Sequence, residues 1–113
     1  MKKNKSLIFP IMPAKLAHAE TLDAISELEE KAIVKLTNNI NEQILSAIKN
    51  GNFATTHFVY FTDYSDVRIT KRVVNTVIET FSSRGYNCEF IEDKEDFIYF
   101  GKIYIKWDLE EHK

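Results

Sequence analysis

The chain has 113 residues, 44% hydrophobic and 28% charged, with a net charge of −2. That length supports one domain with a single core, the composition excludes a disordered chain, and the near-balanced charge excludes a global pull toward nucleic acid or an anionic membrane. No run approaches the roughly 18 apolar residues of a membrane span, the single cysteine, Cys88, excludes a disulfide within one chain, and three glycines and two prolines leave no flexible linker.

The first twenty residues resemble a secretory leader in outline. Lys2, Lys3 and Lys5 precede an apolar run from Leu7 to Ala14, and Ala17-His18-Ala19 has the small-x-small pattern of a cleavage point. Pro10 and Pro13 break the run and Lys15 places a charge inside it, so residues 1–12 read instead as a basic arm and 13–113 as the single domain. Met12, followed by Pro-Ala-Lys, also reads as an alternative start. A lone cysteine agrees with a cytoplasmic protein. Charge is uneven: residues 1–19 hold four lysines and no acid, whereas 20–50 hold six acids against three bases and 92–113 seven against four.

From 16 to 48 the apolar residues Leu22, Ile25, Leu28, Ile33, Leu36, Ile40, Ile44 and Ile48 recur at helical spacing, and Asn50-Gly51 closes the helix. About 30 residues at 1.5 Å each is roughly 45 Å, too long to lie along one small sheet in a domain of radius near 13 Å. Two outcomes fit. The helix breaks at Thr37-Asn38-Asn39, with Asn39 and Glu42 spaced as an N-cap and its partner, or the half spanning 21–36 projects and offers Leu22, Ile25 and Leu28 to another chain.

Residues 55–62 read as a strand, with Phe58 and Tyr60 on one side and Val59 and Phe61 on the other. Tyr64-Ser65-Asp66 supplies turn and capping chemistry for a second helix whose stripe runs Val67, Thr70, Val73, Val74, Val77, Ile78 and Phe81, closed by Gly85. A second strand follows at 86–91 and a third at 97–107, where Ile103, Ile105 and Trp107 alternate with Lys102, Tyr104 and Lys106 and Gly101 marks a bulge. The order is α-β-α-β-β. The expectation is an α+β fold: both helices on one face of a small three-stranded mixed sheet, with a parallel crossover between the first two strands and a hairpin between the last two.

Candidate chemistry is sparse. His18, His57 and His112 have no ligand spacing, the acids at 92–96 lack the glycine and alternation of a cation loop, and no phosphate loop, nucleophile elbow or zinc pattern is present. A Cys88–His57 pair on neighbouring strands is conceivable, but a small buried thiol is the plainer reading. No enzyme activity, metal or cofactor is expected. Arg68, Lys71 and Arg72, with Tyr60, Tyr99 and Tyr104 as stacking platforms, make a nucleic-acid-binding module the alternative reading. Protein binding is favoured. Aromatics make up 12% of the chain, more than a two-layer core needs, and the face of the sheet opposite the helices then carries some of Tyr60, Tyr86, Tyr99 and Tyr104, joined by Lys102 and Lys106.

A helix ending in Ile44, Ala47-Ile48 and Gly51, a strand, a second helix closed by Arg84-Gly85-Tyr86, and a hairpin ending in Ile103 and Trp107 resembles many small bacteriophage-encoded accessory proteins, over roughly residues 14–108. The matching positions are caps and core residues, so no site carries over, and the basic arm departs from the pattern. The resemblance implies a protein made in the host cytoplasm during infection, some such proteins binding and inhibiting host factors, immune enzymes among them. The expected function is therefore a non-enzymatic accessory protein that binds a host or viral protein, as a homo-oligomer through its leading helix.

Overall fold

A computed structural model describes residues 10–95 and 98–109. The part of the basic arm at 1–9, Asp96, Phe97 and His112 lie outside the described residues.

Helix α1 (Ala14–Lys49) runs unbroken for 36 residues, about 54 Å. The expected alternative of a break at Thr37-Asn39 does not occur, and the reason is energetic. Leu36 and Ile40 are fully buried on either side of the asparagines, and each contributes about 1.5–3 kcal/mol by burial. Asparagine in a helix interior costs only about 0.7 kcal/mol. Moreover Asn39 spends its amide on the hydroxyl of Tyr64, 3.0 Å away, so it is not free to cap. At the far end Gly51 N–H donates to Ile48 C=O and Asn52 N–H to Ala47 C=O, closing the helix as expected.

Strand β1 (Ala54–Tyr60) is followed by a 3-10 turn (Phe61–Tyr64), helix α2 (Lys71–Ser82), β2 (Asn87–Glu92) and β3 (Tyr99–Lys106). The expected element order holds, with two corrections to boundaries. β1 stops at Tyr60 because the chain turns to bury Tyr64, and α2 starts at Lys71 rather than near Val67. Asp66, expected at the helix start, instead pairs with Lys35 at 2.9 Å. The cap is Thr70, whose Oγ1 accepts from Val73 N–H at 3.2 Å while donating to Glu29 Oε2 at 3.0 Å. Gly85 (φ 98°) lets the chain reverse after α2, and Tyr86 N–H then reaches back to Phe81 C=O while their rings meet edge to face.

The sheet is antiparallel throughout, in the order β1-β3-β2, which corrects the mixed sheet expected from the crossover. β1 and β2 do run parallel to each other across α2, but β3 inserts between them. β3 carries Gly101, Ile103 and Ile105, all buried, and a central position covers both its edges. The bulge expected at Gly101 falls beside it: Val59 pairs with Gly101 but Tyr60 with Tyr99, leaving Phe100 as the extra residue. Gly101 itself is fixed by close approach, since a Cβ there would lie 2.5 Å from the carbonyl oxygen of Ile91 and 2.6 Å from the ring of Phe90.

The core lies between one face of this sheet and the two helices. Leu36, Ile40 and Ile44 of α1 and Val73, Val74, Val77 and Phe81 of α2 close on Val59, Ile103 and Ile105. Among the described residues no helix is long and apolar enough to cross a membrane.

Candidate docking surface

The strand alternation that sends Val59, Ile103 and Ile105 inward sends every second residue to the opposite face, which no element among the described residues covers. Register brings them together: Phe58, Lys102 and Ile91 form one cross-strand row, Thr56, Tyr104 and Glu89 the next, and Ala54, Lys106 and Asn87 the third. Beyond the bulge, Tyr60 lies beside Tyr99. Phe58, Tyr60 and Ile91 are 42%, 38% and 41% exposed, so about two-fifths of each apolar surface faces water. Ring centroids are 6.3 Å apart for Phe58–Tyr60, 6.0 Å for Phe58–Tyr99 and 5.7 Å for Tyr60–Tyr99, a contiguous aromatic cluster.

Lys102 borders this cluster at Phe58. Its Nζ is 6.0 Å from the centroid of Phe58 and 5.5 Å from that of Tyr104, within reach of a cation–π attraction to both. A hydrogen bond to the Tyr104 phenol, with Tyr104, Tyr99 and Asp93 adding through space, holds its ammonium above the ordinary lysine pKa. The five residues expected on this face, Tyr60, Tyr99, Tyr104, Lys102 and Lys106, thus share it. Phe58 and Ile91 belong with them. Tyr86 does not: its ring packs on Phe81 and Trp107, on the core side.

Leu22, Ile25 and Leu28 sit on α1 along the continuation of the stripe that buries Glu29, Ala32 and Leu36. Through 14–28 the helix has no buried residue; Leu22 is 53% exposed, and Ile25 and Leu28 are half-buried. Ile25 and Leu28, with Met12, Ala24 and Arg68, line a shallow groove of about 430 Å³.

The basic trio is dispersed. Arg72 reaches Glu29 at 2.7 Å and Lys71 reaches Glu92 at 3.2 Å, while Arg68 lies against α1, its N–H donating to Leu28 C=O at 3.3 Å. All three stand on the helical side of the sheet, so no one surface holds both them and the tyrosines.

Cys88 and His57 lie on opposite edge strands with β3 between them, so the conceivable thiol–imidazole pair does not form. Burial pushes the Cys88 thiol up, which makes it a poor nucleophile. His57 instead enters a chain of polar groups absent from the sequence reading. Gln43 Nε2 donates to Thr56 C=O at 3.0 Å, so its Oε1 is left to accept from His57 Nδ1. His57 Nε2 then accepts from the Tyr64 hydroxyl at 2.9 Å, which in turn accepts from Asn39 Nδ2 at 3.0 Å. Every member is satisfied with the imidazole neutral, and burial lowers the His57 pKa against the opposing pull of Asp63. This is a tie between α1 and β1. The clue in the sequence was Asn39 and Gln43, four residues apart and amid the buried stripe Leu36, Ile40 and Ile44.

Among the described residues no group of three or more His, Cys, Asp or Glu side chains is placed to hold a metal ion. Compared with known proteins, the chain matches no family model, no curated protein and no solved structure.

Proposed function

We propose that this chain is a non-enzymatic protein-binding module of the kind bacteriophages encode as accessory proteins, which engages and inhibits a host or viral protein in the host cytoplasm. The uncovered sheet face is the docking surface, and the leading helix joins copies of the chain through Leu22, Ile25 and Leu28. One observation carries the reading: the exposed Phe58, Tyr60 and Ile91, with the half-buried Tyr99 and Lys102, form one aromatic and apolar surface on the face the helices leave open. Large amphipathic rings and few charges are what distinguishes the centre of a protein interface from ordinary surface.

The test pairs a lysate capture with a variant. A protein retained by the wild-type chain, lost by Tyr60→Ala/Tyr99→Ala and kept by Arg68→Ala/Lys71→Ala supports the reading. Equal retention by the tyrosine double variant refutes it. Titration of short DNA and RNA at about 50 mM and 200 mM salt addresses the nucleic-acid alternative, for which affinity would fall steeply with salt. The dispersal of Arg68, Lys71 and Arg72 away from the tyrosines argues against that alternative.

A further inference from the structure

The proposed docking face has a cation inside it, and resting on that reading, the cation restricts what can bind there. Lys102 is the middle member of the row Phe58–Lys102–Ile91, between the two exposed apolar side chains of the edge strands. Its ammonium stays close to the rings of the face, 6.0 Å from the Phe58 centroid and 5.5 Å from that of Tyr104. A partner surface that covers Phe58, Tyr60, Tyr99 and Ile91 therefore covers this ammonium too. Removing it from water against an apolar surface would cost more than the apolar contacts return, unless an opposite charge meets it. Within the chain Asp93 acts on Lys102 only through space, and among the described residues no carboxylate meets it at contact distance: the ion pairs there engage Lys35, Lys71 and Arg72.

We propose that the partner is a protein that presents an aspartate or glutamate carboxylate within an apolar patch, the carboxylate meeting Lys102 while the apolar surround covers Phe58, Tyr60, Tyr99 and Ile91. Lys106, at the end of the face, serves as a rim contact. A polyanion fits less well than a single carboxylate. Among the described residues the face offers Lys102 and Lys106, it also carries Glu89, and at its margin beside Lys102 the acids Asp93 and Glu95 outnumber Lys94, so successive phosphates would meet carboxylates. The same logic sets specificity, because a wholly apolar partner is rejected by the stranded ammonium and a basic one by repulsion.

The probe is a library of random displayed peptides selected on the full-length protein. The selected peptides should share an acidic residue flanked by apolar or aromatic ones. Their affinity should fall by about thirtyfold or more for Lys102→Glu, the size expected when a buried charge loses its partner. Affinity should return when the peptide's acid is replaced by lysine and tested against Lys102→Glu, a recovery that damage to the fold cannot produce. Lys102→Met, which keeps the stem, should show the loss with an unchanged circular dichroism spectrum. Selected peptides without an acid, or peptides bound equally by Lys102→Glu, would overturn the carboxylate. In that event Tyr60→Ala separates the two layers: loss of binding leaves the docking face standing, whereas unchanged binding removes it as well. Failure to enrich any peptide over a selection on Tyr60→Ala/Tyr99→Ala would overturn both.

Discussion

Replacing Tyr64 by phenylalanine removes one oxygen and leaves the ring, which is 2% exposed, in place. That oxygen accepts from Asn39 and donates to His57, so two half-buried groups lose a partner at once. A stranded group costs about 1–3 kcal/mol when fully buried, and at half burial we take the lower end for each, giving about 2 kcal/mol in total. In a domain of this size that is a drop of about 6–10 °C in Tm. Urea denaturation followed by circular dichroism would read it as a lower midpoint at constant slope. Because the groups act as a chain, the same change made in an Asn39→Ala background should cost measurably less, with a coupling of about 0.5 kcal/mol or more. A Tyr64→Phe variant within about 0.5 kcal/mol of wild type, or strict additivity with Asn39→Ala, would refute the network as a tie between α1 and β1.

The same network makes stability pH-dependent. Burial holds the folded His57 below its ordinary pKa of 6.5, so the unfolded chain takes up the proton first. The stabilisation is fully present above pH 6.5 and is lost as pH falls through 6.5 toward the folded value. His57→Gln should flatten that part of the stability–pH curve, and an equally steep curve would contradict the assignment. Gly101→Ala should destabilise by about 1–3 kcal/mol in the same denaturation assay, because the added methyl meets the Ile91 carbonyl and the Phe90 ring, and a neutral outcome would show that β2 can yield. For self-association, light scattering after size exclusion should give a dimer or larger for wild type and a monomer for Ile25→Asp; a monomeric wild type removes the oligomer proposal.

How far the fold could be read from residues alone depended on range. The stripe Leu36, Ile40, Ile44 and the closing glycines at 51 and 85 are local signals, and the structure follows them. The continuity of α1 past Asn38-Asn39 was undecidable locally, because the partner that engages Asn39 is Tyr64, twenty-five residues away. Likewise Thr70 was one member of an apolar stripe until Glu29 came within reach of its hydroxyl. Strand order is a purely long-range property. A crossover through α2 fixes β1 and β2 as parallel, but nothing local says that β3 will slip between them.

The candidate surface was legible to the extent that alternation is. Placing Ile103 and Ile105 inward puts Lys102, Tyr104 and Lys106 outward, and the bulge at Phe100 returns Tyr99 to that side. Phe58 was already paired with Tyr60 by its spacing, yet its partnership with Lys102 needed the register. Ile91 was hidden because its strand reads as core through Cys88 and Phe90. The basic trio failed as a patch for a related reason: Lys71 and Arg72 look free in sequence, and the carboxylates that occupy them, Glu92 and Glu29, come from elements far along the chain.

The central claim is that the uncovered sheet face is where a partner docks, and lysine footprinting reads it directly. An amine-reactive label with peptide mass analysis should show Lys102 and Lys106 losing reactivity when a captured partner is added, while Lys49, at the end of α1, keeps its own. Unchanged labelling of Lys102 and Lys106 in a complex that protects Lys31, Lys35 or Lys71 would contradict it, and would move the docking surface to the helical side of the molecule.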